Sequence, residues 1–294
     1  MPELPEVQTI VNDLEKKVVG KTISDFDSEW KRRVRPSFVG FKKGAIRKKI
    51  IGSRRIGKHI VLDLSYSFKF NSARSAVTGD SIVIHLKMTG HLLLKPIRNR
   101  ITKDVKKTFE ERVNGYVRHW FEFEDGSRLE FSDMRKFGWV ALVKTSEVEN
   151  MKEISALGID ALDSKLDFKK FNQLLDKKSN SKIGILLLDQ HWIAGIGNIY
   201  RSEILFDARI YPERLVKDLS LNERKKIYNS TRKILKKAVK LRGTSDVDYR
   251  DTDGKKGTFQ NFLKVYRRTK EKCIGCGGKV KTFKMGQRSV FFCS

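Results

Sequence analysis

Met1-Pro2-Glu3-Leu4-Pro5-Glu6-Val7 opens the chain, and apolar Val7, Ile10, Val11, Leu14 and Val18 continue at helical spacing as far as Gly20. That period predicts an amphipathic helix. Pro5 suits its first turn, where a missing N–H costs nothing, and Glu6 suits the positive end of the helix dipole. The same residues carry chemistry. A small residue after the initiator favours removal of Met1, which leaves Pro2 as a free secondary amine. An α-amino group titrates near ~8, so a usable fraction is unprotonated at neutral pH and can attack an aldehyde-like carbon to give an iminium ion. Glu3 and Glu6 stand beside it as candidate proton shuttles. Helix start and nucleophile are compatible readings of one stretch.

Past this helix the period changes. Residues 60–64, 81–86, 91–94, 120–123 and 128–131 are short apolar or alternating runs, separated by turn signals such as Glu124-Asp125-Gly126-Ser127, so 22–143 reads as β-rich. Two polar stretches, 66–80 and 97–117, read as surface loops. From about 150 the apolar spacing turns helical at Leu174-Leu175, 183–188, Ile204-Leu205 and 227–239. The expectation is an α+β chain with a domain boundary near 145–160.

With 294 residues the chain can form two domains with real cores. Its 62 Lys plus Arg against 35 Asp plus Glu give a net charge of +27, far beyond what solubility requires. The excess is +11 over 1–150 and +16 over 151–294, so it is no basic tail. Two folded basic faces on one polyanion, most simply a nucleic-acid backbone, account for it. No apolar run approaches 18 residues and the N-terminus lacks a basic-then-apolar signal, so a cytosolic or nucleoid-associated protein with no membrane association is expected.

Two further segments stand out. Gly195, Gly197 and Asn198 precede a helical run, where glycines let backbone approach a phosphate and helix N-terminal amides supply donors. Cys273, Cys276 and Cys293, all in the last 22 residues, have the spacing of a zinc ribbon or hairpin finger, with a fourth cysteine expected at position 296, past Ser294. Gln287-Arg288 falls at the hairpin tip, where a guanidinium can fork onto phosphate.

Taken in order, Pro2 to Val7, Gly57-Lys58-His59, His85-Leu86-Lys87-Met88-Thr89-Gly90, Asp133-Met134-Arg135-Lys136-Phe137-Gly138, the Asn198 turn, Asp253-Gly254 with Phe259-Gln260, Val265-Tyr266 and the Gln287-Arg288 hairpin resemble the formamidopyrimidine-DNA glycosylase family over essentially the whole chain. The resemblance implies an N-terminal helix and β-sandwich catalytic domain over 1–150, a helix-two-turns-helix DNA-binding domain over 151–262 and a zinc-finger hairpin over 263–294. It implies a monomeric base-excision enzyme on double-stranded DNA containing oxidised purines, with glycosylase and abasic-site lyase activities. Pro2 would attack the sugar C1′ through a Schiff base with Glu3 as acid/base partner. Lys58 would bind phosphate beside the reacting sugar, and Glu6 would hold the N-terminal helix. Asn198 and Arg288 would clamp flanking phosphates, while Met88, Arg135 and Phe137 would fill the gap left by the everted base. Zinc on Cys273, Cys276 and Cys293 would be structural.

The chain departs from the family pattern in places. Gly184 stands where a lysine is usual, so one DNA contact is expected to be lost or supplied by Lys182. The lid that covers the flipped base reads Gly243-Thr244-Ser245-Asp246-Val247-Asp248-Tyr249, with two extra carboxylates, and Arg267 replaces a glycine. A three-thiolate site completed by water or an outside ligand is expected to bind zinc more weakly. Three rivals are separable: Leu4 and the Met88, Arg135, Phe137 set disfavour the related endonuclease VIII, Pro2, Glu3 and Lys58 disfavour a catalytically silent clamp, and an RNA binder would not need a terminal proline.

Overall fold

Two prolines and two glutamates set the first helix. The computed structural model describes residues 1–65, 79–97 and 108–293; in it α1 spans Leu4–Lys17, with Glu3 at the N-cap. Glu3 and Glu6 close a capping box, each side chain taking the other's backbone N–H, so two orphan donors of the first turn are satisfied. Lys16 and Lys17 sit at the negative end of the dipole.

The strands of this half are β1 (Ile23–Ser28), β2 (Val34–Arg35), β3 (Ile50–Ile56), β4 (His59–Leu64), β5 (Asp80–His85), β6 (His91–Lys95), β7 (Val117–Phe123), β8 (Arg128–Ser132) and β9 (Trp139–Lys144). Helix α2 (Phe38–Ala45), capped by Ser37, lies between β2 and β3, and α3 (Lys152–Ser155) follows β9. They make two sheets, ordered β1-β7-β8-β6 and β2-β9-β5-β4-β3. Alternation decides how these face. Ile60, Leu62 and Leu64 of β4 and Ile82 and Ile84 of β5 join Phe26, Leu92, Phe121, Leu129 and Phe131 of the other sheet in one core, together with Val7, Ile10 and Leu14 of α1. Each such side chain contributes roughly 1.5–3 kcal/mol by leaving water. The intervening Val61 and Val83 point the other way, onto Trp139, Ala141, Val148 and Ile154. The expected sandwich is therefore present, and all five strands read from the sequence are strands.

Four strands escaped that reading. β3 carries Ser53-Arg54-Arg55 and looks polar, because it is a sheet edge whose Arg54 pairs with Asp63 on β4. β1, β2 and β9 lacked a clear alternation. The stretch 66–80, read as a loop, lies outside the described residues except for 79–80, and Asp80 begins β5. Of 97–117, residues 98–107 lie outside them, while the remainder is more than surface loop: Asn114 is buried and its Oδ1 lies 2.9 Å from His91 Nε2.

The chain divides into two compact units, Met1–Ser155 with Arg242–Gly257, and Ala156–Leu241 with Thr258–Ser294. The strip 242–257, which the sequence reading put in the second domain, packs with the first: Arg242 bridges Asp13 and Asp251, Thr252 donates to Asp13, and Tyr249 enters the sandwich core.

The second unit holds β10 (Ile159–Asp160), α4 (Phe168–Asp176), α5 (Ile183–Leu186), β11 (Ile193–Ala194), α6 (Asn198–Ala208), α7 (Leu221–Lys240) and a hairpin of β12 (Lys281–Met285) and β13 (Arg288–Phe292). α7 begins at a Ser220–Glu223 capping box. No helix among the described residues is long and apolar enough to cross a membrane.

Candidate functional site

At the N-terminus, Pro2 is buried, Glu3 is 2% exposed and Glu6 1% exposed. Glu6 spends both oxygens on backbone: one accepts the Glu3 N–H and the other the Thr244 N–H, each at 2.7 Å. The approach is close enough to require glycine next door. Gly243 has φ +78°, and a Cβ there would fall 2.7 Å from Glu6 Oε1. Tyr249 donates its hydroxyl to the Glu6 carbonyl at 3.3 Å, and burial with the nearby Glu6 carboxylate pushes its phenol up. Ser245 donates to the Tyr249 carbonyl at 2.7 Å. The segment 243–249 is thus docked on the start of α1, and Glu6 holds it there.

Lys58 lies in the β3–β4 turn and is 8% exposed. Arg55 ties that turn to α1, donating to Gln8 Oε1 and to the Gly57 carbonyl, both at 2.8 Å. Behind it the rings of His59 and His85 meet edge-on at 4.5 Å. Burial holds His59 down to about 4 and His85 well below the ordinary imidazole range, so both are neutral at pH 7.

Two turns at one end of the sandwich carry the three residues assigned to gap filling. Met88 is half-buried, whereas Arg135 and Phe137 are exposed, with the Arg135 guanidinium 4.7 Å above the Phe137 ring. Core packing does not explain Phe137. Nor is Arg135 there to pair with Asp133, whose carboxylate receives Thr89 and backbone N–H groups instead.

In the second unit, Asn198 opens α6 and donates to the Ser289 carbonyl at 3.0 Å, beside Arg288 on β13. The two expected phosphate ligands are brought together. What fastens them is Arg201, fully buried, which reaches Asn198 Oδ1, the Gly184 carbonyl at 3.1 Å and the Ser289 carbonyl at 3.3 Å. Sequence reasoning missed it. Gln190 shapes the preceding turn through the Leu188 and Ile196 carbonyls and the Gly195 N–H. A side chain at Gly184 would meet the Pro212 carbonyl at 2.8 Å, so this backbone has no room for lysine. Lys182, the expected substitute, pairs with Glu213 at 2.5 Å. Arg267, where the resemblance expects a glycine, has φ +59°, the left-handed region that favours glycine.

The Sγ atoms of Cys273, Cys276 and Cys293 lie within 4.8 Å of one another. Thiolates at three corners of a zinc tetrahedron stand about 3.8 Å apart, so the set fits a metal with one position left for another donor. Burial alone would raise the Cys273 thiol, but the Gly275 N–H and the Cys293 thiol hold it down at about 7, toward the thiolate that binds metal.

A buried carboxylate pair at a helix start, a lysine turn tied to it, and a helix N-terminus bound to a basic hairpin suit proton transfer and phosphate binding. Residues 1–140 match the formamidopyrimidine-DNA glycosylase N-terminal domain, and 157–249 match the formamidopyrimidine-DNA glycosylase H2TH domain. The formamidopyrimidine-DNA glycosylase of Pelotomaculum thermopropionicum is 34% identical over 294 residues, covering 100% of this chain and 98% of that protein. That of Bacillus cereus is 35% identical over 295 residues, with the same coverage. Wild-type Lactococcus lactis Fpg (MutM), solved with DNA containing N7-benzyl-Fapy-dG, is 32% identical, covers 99% of this chain and 98% of its own, and has a TM-score of 0.83. The same enzyme with abasic-site DNA gives 0.82 at 31% identity.

Proposed function

The chain belongs to the formamidopyrimidine-DNA glycosylase family and is a DNA-binding repair glycosylase; from this we propose that it excises oxidised purines, 8-oxoguanine and formamidopyrimidines, and then breaks the strand with its own N-terminal amine. Once Met1 is removed, the Pro2 nitrogen forms a bond to C1′ while the base leaves with the former C1′–N electrons and a proton. Opening of the sugar leaves an iminium. Glu3 exchanges protons with the sugar: loss of a C2′ proton expels the 3′ phosphate, loss of a C4′ proton then expels the 5′ phosphate to complete β,δ-elimination, and water adding to C1′ of the remaining iminium frees Pro2. Lys58 offsets charge developing on the leaving phosphate. Asn198 and Arg288 grip the backbone, and zinc on the three thiolates holds the hairpin without entering the reaction. The buried Glu3–Glu6 pair at Pro2 is the observation that supports this reading most, because it sets a carboxylate and a secondary amine on the same helix start.

Borohydride trapping tests it. Duplexes carrying 8-oxoguanine opposite cytosine should give a covalent complex, undamaged DNA none, and a chain retaining Met1 should bind without trapping. Preferential trapping on thymine glycol would move the assignment to oxidised pyrimidines. Strong cleavage by the Met1-retaining chain would exclude Pro2 as nucleophile.

A further inference from the structure

The turns bearing Met88 and Arg135–Phe137 are two of the places where the chain passes between the sheets: 86–90 leads from β5 to β6, and 133–138 from β8 to β9. β5 pairs β9 up to His85↔Trp139, and β6 pairs β8 up to His91↔Ser132, so the crossovers run side by side. Each is closed by its own bonds. In the first, Gly90 N–H reaches the Leu86 carbonyl at 3.0 Å and Lys87 N–H reaches His85 Nδ1 at 2.9 Å. In the second, Asp133 gathers the N–H of Arg135 at 3.2 Å on one oxygen and that of Gly138 at 2.7 Å on the other. One side chain joins them. The Thr89 hydroxyl donates to Asp133 and accepts the Arg135 N–H at 3.1 Å. Thr89 is 7% exposed and Asp133 2%, so this bond is shielded from competing water.

We propose that the Thr89–Asp133 bond is a positioning latch that makes Met88, Arg135 and Phe137 enter the DNA as one rigid unit, resting on the base-eversion reading above. Without it each turn keeps its shape and loses its alignment with the other. Misplacement of groups that must act together by even a fraction of an ångström costs rate out of proportion to stability.

Thr89→Val removes the hydroxyl at nearly constant volume, and Thr89→Ser restores it. The test compares single-turnover cleavage of an 8-oxoguanine duplex with lyase cleavage of a single-stranded abasic oligonucleotide, which has no stack to fill and no base to evert. Thr89→Val should lose about tenfold or more on the duplex and less than about twofold on the single strand, with KM on the duplex nearly unchanged; Thr89→Ser should regain the duplex rate. A 2-aminopurine next to the lesion should brighten less on binding Thr89→Val. Equal loss on both substrates, or none on either, overturns the latch. Wild-type protein inert on both overturns the catalytic reading beneath it.

Discussion

Glu6 shows how much a single carboxylate can organise. Its oxygens accept the Glu3 and Thr244 N–H groups inside a fully buried setting, and glutamine can offer only one acceptor while turning an NH2 on the other donor. Glu6→Gln should therefore cost about 1–3 kcal/mol in urea unfolding, and an unchanged midpoint would mean that the segment 243–249 is held by other contacts. The buried imidazoles give a pH effect of definite sign. Burial holds His59, His91 and His119 at about 4, below the ordinary 6.5. The unfolded chain then binds more protons than the folded one, so their contribution is complete above pH 6.5 and is lost as pH falls through about 4. The urea midpoint should drop between pH 7 and 5; a flat profile would mean that these rings take up protons as readily in the fold as in the unfolded chain. The start of α1 was legible in the first six residues because Pro5 in the first turn and Glu6 at the positive end of the dipole act through nearest-neighbour chemistry.

At the scale of elements, the junction of α6 with β13 carries the clearest expectation. Arg201→Met removes the buried donor of the Gly184 carbonyl and leaves the Ser289 carbonyl with Asn198 alone, so the hairpin should loosen and the Kd for lesion duplex rise roughly tenfold, at a cost of the size usual for an unpaired buried group. Borohydride trapping at saturating protein should persist. Loss of trapping with unchanged Kd would place Arg201 in the reaction instead. No sequence signal marks this residue, which stands between Tyr200 and Ser202 like any helix-surface arginine; only the packing of α6 puts it inside. The cysteines, by contrast, were legible from spacing, and the sandwich strands from alternation. Edge strand β3 was not, since its outward arginines hide the period.

For the whole molecule, the +27 charge predicts binding that weakens steeply with salt. Arg288→Ala should weaken binding and lower the slope of log K against log salt by about one, and an unchanged slope would mean that the hairpin tip does not touch phosphate. The sequence could not show that 242–257 returns to the first unit, since that link is made by side chains 229 to 239 residues apart, Asp13 with Arg242 and Thr252. This return has a consequence for biosynthesis. A ribosome delivers 1–155 and then some 86 residues of the other unit before the strip that seats Glu6 and Asp13 emerges, an interval on the order of ten seconds at ordinary elongation rates. Until then α1 lacks the Thr244 N–H on Glu6 and the Arg242 and Thr252 partners of Asp13. A nascent or prematurely ended chain would thus carry the amine proposed as nucleophile without the seat for its helix, and on that proposal competence waits for the strip 242–257 to emerge.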